Sequence, residues 1–186
     1  MRPTKAGRRF TELPASLVID ASIAHAAGGE GATAPESKLA RDCLQAVLDN
    51  AHDLVMSPEI ITEWNAHQSN FARRWRVRMA ARRRIRRIES QFDVDLRARL
   101  RAATRTDKDW AVLEKDCILI EAAIVADKSI LSLDEIARGL FRNIGARVGE
   151  IRGIIWLNPH KPEDLVVEWI LSGCVITRQR TLSAGK

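Results

Sequence analysis

Ser16-Leu17-Val18-Ile19-Asp20 is a short apolar run that closes in an acid. A run this brief, without polar alternation, reads as a parallel strand buried on both faces whose carboxyl end meets solvent. The pattern returns in Ser129-Ile130-Leu131-Ser132-Leu133-Asp134, and Asp53-Leu54-Val55-Met56 and Gly153-Ile154-Ile155-Trp156-Leu157 supply further strands, the last broken by Asn158-Pro159. Helical periodicity fills the intervals. Over 36–51, Leu39, Ala40, Cys43, Leu44, Val47 and Leu48 recur at spacings of three and four. Ser57-Pro58-Glu59 combines a hydroxyl cap, a first-turn proline and an acid at the positive dipole end. The stripe Ile60, Trp64, Phe71, Trp75 and Met79 then predicts one long helix or two broken ones. Further helices are expected over 95–103, over 116–126, from 135 to a stop near Gly145, and from Pro162 to Gly173. The alternation predicts an α/β fold with a central, mostly parallel sheet of four to five strands, flanked by helices through right-handed crossovers.

With 186 residues and 46% hydrophobic content, the chain suits one domain with a sound core. Residues 1–12 read as a loose basic tail and 13–186 as a single domain, with an Arg-rich helical segment at about 58–105. Lys and Arg total 30 against 24 Asp and Glu, a net charge of +6, which favours a polyanionic partner. Cys43, Cys117 and Cys174 are odd in number and far apart, which excludes a disulfide framework or a CxxC metal site and points to a reducing, cytoplasmic setting. The basic N-terminus and the apolar stretch to Ala24-His25-Ala26 imitate a signal peptide, but Asp20 in its middle opposes insertion. No run approaches the roughly 20 apolar residues of a membrane span.

In open parallel sheets the working site lies at the carboxyl ends of the strands. Asp20 and Asp134 each close a strand, Asp116 is expected to open the helix leading into the Asp134 strand, and Glu63 lies early in the helix after the second strand. Taken singly, each acid also fits a helix cap or a solvated turn. Jointly, carboxylates that converge repel and lose hydration unless a cation intervenes. Oxygen-only ligation suits Mg2+ or Mn2+, ions that activate water against a scissile phosphate. Glu59 and Glu63 share a helix face, so spacing does not decide between them.

Four segments together resemble the PIN domain, a family that includes the toxin ribonucleases of toxin–antitoxin pairs. They are Leu17-Val18-Ile19-Asp20-Ala21-Ser22, Ser57-Pro58-Glu59-Ile60-Ile61-Thr62-Glu63, Lys115-Asp116-Cys117-Ile118-Leu119-Ile120-Glu121-Ala122-Ala123 and Ile130-Leu131-Ser132-Leu133-Asp134, spread over residues 16 to 157. The resemblance implies a PIN-like three-layer fold and a Mg2+/Mn2+-dependent endoribonuclease. It implies metal ligation by Asp20, Glu63, Asp116 and Asp134, with Ser132 as a polar neighbour, and it favours Glu63 over Glu59. It also implies a toxin restrained by an antitoxin protein, and a homodimer.

Between Arg73 and Arg105 arginines crowd the sequence, opposed only by Glu89, Asp93 and Asp95. A solvated face normally mixes signs, so an RNA backbone track is expected here, with Arg73, Arg74, Arg76, Arg82, Arg83 and Arg86 as candidates. A docking surface for an acidic protein is the rival. Most of Trp64, Trp75, Trp110, Trp156 and Trp169 lie in apolar patterns and are expected in the core rather than stacked on bases. Of the four histidines only His25 falls near the acids. The Gly28 to Gly31 loop lacks the spacing of a phosphate-binding loop. The expected function is therefore metal-dependent hydrolysis of RNA. The alternatives are a non-catalytic nucleic-acid-binding domain of the same fold, in which the acids merely cap, and a phospho-acceptor domain.

Overall fold

A computed structural model of the chain describes residues 14–29 and 31–184, so the expected tail over 1–12 lies outside the described residues. Five strands form the sheet: β1 Ser16–Ile19, β2 Asp53–Met56, β3 Ile85–Arg87, β4 Ser129–Leu131 and β5 Ile155–Leu157. They lie in the order β3-β2-β1-β4-β5, and every neighbouring pair is parallel. β1, in the centre, is buried along its whole length, which is why its sequence shows no alternation. Parallel pairing needs a crossover between successive strands, and eight α-helices among the described residues supply crossovers and flanks. These are α1 Ala21–Ala26, α2 Pro35–Asp49, α3 Pro58–His67, α4 Asn70–Ala81, α5 Val94–Ala103, α6 Asp107–Val125, α7 Glu135–Gly145 and α8 Val166–Leu171. The architecture is the α/β fold expected, consistent with a PIN-like three-layer arrangement.

The Trp stripe runs along two helices, not one. Gln68 leaves the helical region and the Ser69 hydroxyl, accepting from Ala72 N, starts α4. Trp64 and Trp75 then stack with ring centroids 6.0 Å apart, and their indole N–H groups donate to Ile19 O and Leu44 O at 2.8 and 2.6 Å. Trp64, Trp75, Trp156 and Trp169 are all buried, the core role expected of them.

Several elements differ from the expectation. The helix expected from Pro162 to Gly173 is a 3-10 turn over Pro162–Asp164 that breaks at Leu165, with a left-handed φ of 44°, before α8, and α1 has no counterpart among the expected helices. The Arg-rich stretch is not helical throughout: Arg83 adopts a left-handed φ of 57° that ends α4, and Ile85–Arg87 pairs with β2 as an edge strand. Asp116 does not open a helix. α6 begins at Asp107, capped by the Thr106 hydroxyl on Asp109 N at 3.0 Å, so Asp116 lies in the middle of a 19-residue helix. Its first turn, Asp107-Lys108-Asp109, is polar, and Glu114-Lys115 interrupts the apolar residues before Asp116. α5 is tied to α6 by Arg97, whose Nε and Nη2 donate to the buried Glu121 at 2.7 and 2.8 Å.

Candidate active site

The strand order reverses between β1 and β4. From β1 the chain moves outward through β2 to β3, then returns to place β4 on the other side. At such a switch point the two neighbouring loops diverge and leave a crevice at the carboxyl edge. Asp20 and Asp134 follow the two strands that bound this crevice.

Asp20 occupies the cap position of α1 but makes no capping bond with its side chain. Its Oδ2 instead accepts from Ser132 Oγ at 2.8 Å and from Ser22 Oγ. Each serine has a second bond: Ser132 Oγ accepts from Asp134 N at 3.1 Å, and Ser22 Oγ from Leu133 N at 3.2 Å. The two hydroxyls lace the end of β1 to the segment after β4 and fix the Asp20 carboxylate. Ser132 is fully buried. Asp134 does cap α7, its Oδ1 accepting from Ala137 N at 2.8 Å.

Asp116 approaches from α6. Its Oδ2 is buried without a hydrogen-bond partner, a costly state for a carboxylate oxygen. Burial, followed by the charges of Asp20 and Asp134 and more weakly by Glu63, pushes its pKa up to about 7 despite the opposing Lys115. The other three predicted acids thus all bear on Asp116. A helix cap would relieve an acid; mid-helix Asp116 has no such relief, so the capping account fails at this position.

Glu63 and Asp20 line one cleft of about 310 Å³ together with Ala21, Ser22, His25 and His67. Glu63 is exposed and lies 3.6 Å from His67 Nε2. Glu59 belongs elsewhere: hydrogen bonds from Ser90 and Ser57 and the charge of Arg97 lower its pKa, and it lines a small pocket beside Glu121. The choice left open by spacing therefore falls to Glu63. Sequence reasoning did not single out Ser22 or His67. Their signals are periodic, two residues after Asp20 and one helical turn after Glu63.

Among the described residues, no three His, Cys, Asp or Glu side chains are arranged to hold a metal ion as they stand. The donor chemistry nevertheless fits a hard cation, because the set is carboxylate oxygens and one of them, on Asp116, lacks any partner. Carboxylates without a counter-charge stand apart by repulsion.

The candidate arginines separate. Arg82 donates to Leu48 O at 3.1 Å and Arg86 to Ser16 Oγ and Val125 O at 3.2 Å each, all at the amino edge of the sheet, away from the acids. Arg73, Arg74 and Arg83 are exposed, and Arg76 is half-buried with Nη2 on Asn65 Oδ1 at 2.8 Å. His25 lines the acid cleft as expected, whereas His52 is buried between Ala15 N and Ile170 O. The cysteines are buried and none is in a disulfide among the described residues, and no helix of the described residues is long and apolar enough to cross a membrane. No family model matches the chain, and neither does any curated protein or solved structure.

Proposed function

We propose that this protein is a Mg2+- or Mn2+-dependent endoribonuclease of PIN-like type, working at the carboxyl edge between β1 and β4. The observation that carries the reading is Asp116, mid-helix and half-buried, with an enclosed unpartnered oxygen and a pKa raised first by burial and then by three other acids from distant sequence. Such a group ionises more readily beside a cation, which Asp20, Asp116, Asp134 and Glu63 would hold. When bound, such an ion supplies charge neutralisation at a scissile phosphate and an acidified water. The chain's own residues do the rest. Ser22 and Ser132 orient Asp20, so this carboxylate needs no rearrangement to serve as a ligand. Exposed Glu63 and His67 stand at the mouth, where an incoming phosphate first meets the site. The excess of Lys and Arg offsets the repulsion between an acidic site and an anionic substrate.

Cleavage of RNA by purified protein with Mn2+, abolished by EDTA and lost in Asp20→Asn and Asp116→Asn, tests the proposal. Parental activity in both variants would end it. Toxin action under a cognate antitoxin, a homodimer and a cytoplasmic location extend the proposal through the resemblance, and co-purification with a neighbouring gene product is the check on the first. A second reading, a non-catalytic nucleic-acid-binding domain, draws on one observation: Asp134 is engaged in capping α7. RNA binding without cleavage in any divalent ion would favour it.

A further inference from the structure

The sheet divides the arginines of α4 and β3 into two sets. One set is committed to the protein itself: Arg82 bonds Leu48 O, Arg84 pairs with Asp53 at 3.3 Å, and Arg86 reaches the α6 side to bond Ser16 and Val125. Alternation along β3 sends Arg87 to the opposite face from Arg86. On α4, Arg73 and Arg76 stand one turn apart, and the charges of Arg73 and Arg87 both reach Arg76. Among the described residues, Arg73, Arg76 and Arg87 pair with no carboxylate. Among the described residues the half-buried Arg76 guanidinium bonds a neutral partner, Asn65 Oδ1 at 2.8 Å. Its pKa is lowered by burial first and then by Arg73 and Arg87, the mark of like charges held together.

Three guanidinium groups gathered without an acid are unfavourable until an anion joins them. Asn65 lies two residues after Glu63 on α3, which sets the cluster about one helix diameter, ~10–12 Å, from the acid cleft. α4 exposes one large apolar side chain beside it, Val77, too little for the buried anchors of a protein hot spot.

We infer that Arg73, Arg76 and Arg87 form a phosphate platform that leads an RNA backbone over the last turns of α3 into the cleft between Asp20 and Glu63, while Arg82, Arg84 and Arg86 hold the fold. The identity of the polyanion rests on the ribonuclease proposal; the existence of the platform does not.

Anisotropy of a labelled oligouridylate bound to full-length Asp116→Asn protein in EDTA tests the platform without cleavage. Adding Arg73→Ala and Arg87→Ala, both at exposed positions, is expected to reduce the slope of log K against log salt by about 0.7 per arginine removed. Arg84→Ala is expected to leave the slope unchanged. An unaltered slope in the double variant, with its circular dichroism unchanged, overturns the platform even if the parent protein cleaves RNA. A reduced slope upholds it even if the parent never does, so the two proposals fail separately. Competition by polyglutamate as strong, charge for charge, as by unlabelled oligouridylate overturns it in favour of an acidic protein partner.

Discussion

Burial and neighbouring acids oppose the ionisation of Asp116, and the pH dependence of stability should record this. Its pKa in the fold is about 7 against an ordinary 3.8, so between those values the native state retains a proton that the unfolded chain has released. Stability from this group is complete below about pH 4 and is lost as pH rises towards 7, by up to a few kcal/mol at about 1.4 kcal/mol per pH unit. In EDTA, Asp116→Asn should therefore melt higher than the parent at pH 8 and alike at pH 4, while losing cleavage. A variant equally or less stable at pH 8 would contradict the assigned burial and repulsion. Ser132 makes a different prediction. Fully buried, it donates to Asp20 and accepts from Asp134 N, so Ser132→Ala orphans an N–H and loosens a carboxylate. A loss of about 1–3 kcal/mol in urea unfolding is expected, with reduced cleavage; unchanged stability would show that water replaces the hydroxyl.

At the scale of elements, the Arg97–Glu121 pair is the one polar tie between α5 and α6 that is almost wholly buried on its acidic side, with the Glu121 side chain 3% and the Arg97 side chain 16% exposed. Glu121 also accepts from Asp93 N at 3.1 Å. Glu121→Ala leaves the guanidinium uncompensated and should cost about 3–5 kcal/mol, read as a lower unfolding midpoint; a shift within 0.5 kcal/mol, on the order of a surface change, would contradict that. Elements were legible where burial dictated pattern. β1, β2 and α2 announced themselves because both strand faces, or one helix stripe, had to be apolar. β3 did not, since an edge strand of three residues with two arginines has neither run nor alternation. The start of α6 was hidden by its polar opening, Asp107-Lys108-Asp109, and by Glu114-Lys115, which interrupts its apolar residues before Asp116, and that misplacement made Asp116 look like a cap when it is a mid-helix acid. Asp20 and Asp134 were legible from strands that end in acid, whereas Glu63 and Glu59 required coordinates, because two residues one turn apart differ only in what the neighbouring helices bring to them.

For the whole molecule, the proposed site links folding to divalent ions. Repulsion of Asp116 by Asp20, Asp134 and Glu63 exists only in the folded chain, and an ion that relieves it would bind the native state alone. Stabilisation should then follow ligand linkage, about 2.7 kcal/mol at a hundredfold excess over Kd. For a chain of this length that is a rise in Tm of roughly 5–10 °C, at about 2–4 °C per kcal/mol. The rise should be larger at pH 8 than at pH 5, because protonated Asp116 is a poor ligand. Thermal melts with Mn2+, Mg2+ and EDTA check this, and Asp20→Asn supplies the contrast, since it removes a proposed ligand while keeping an acceptor for Ser132. A shift of equal size in the parent and in Asp20→Asn would mean that the ions act on the surface at large, and the metal centre between β1 and β4 would have to be given up.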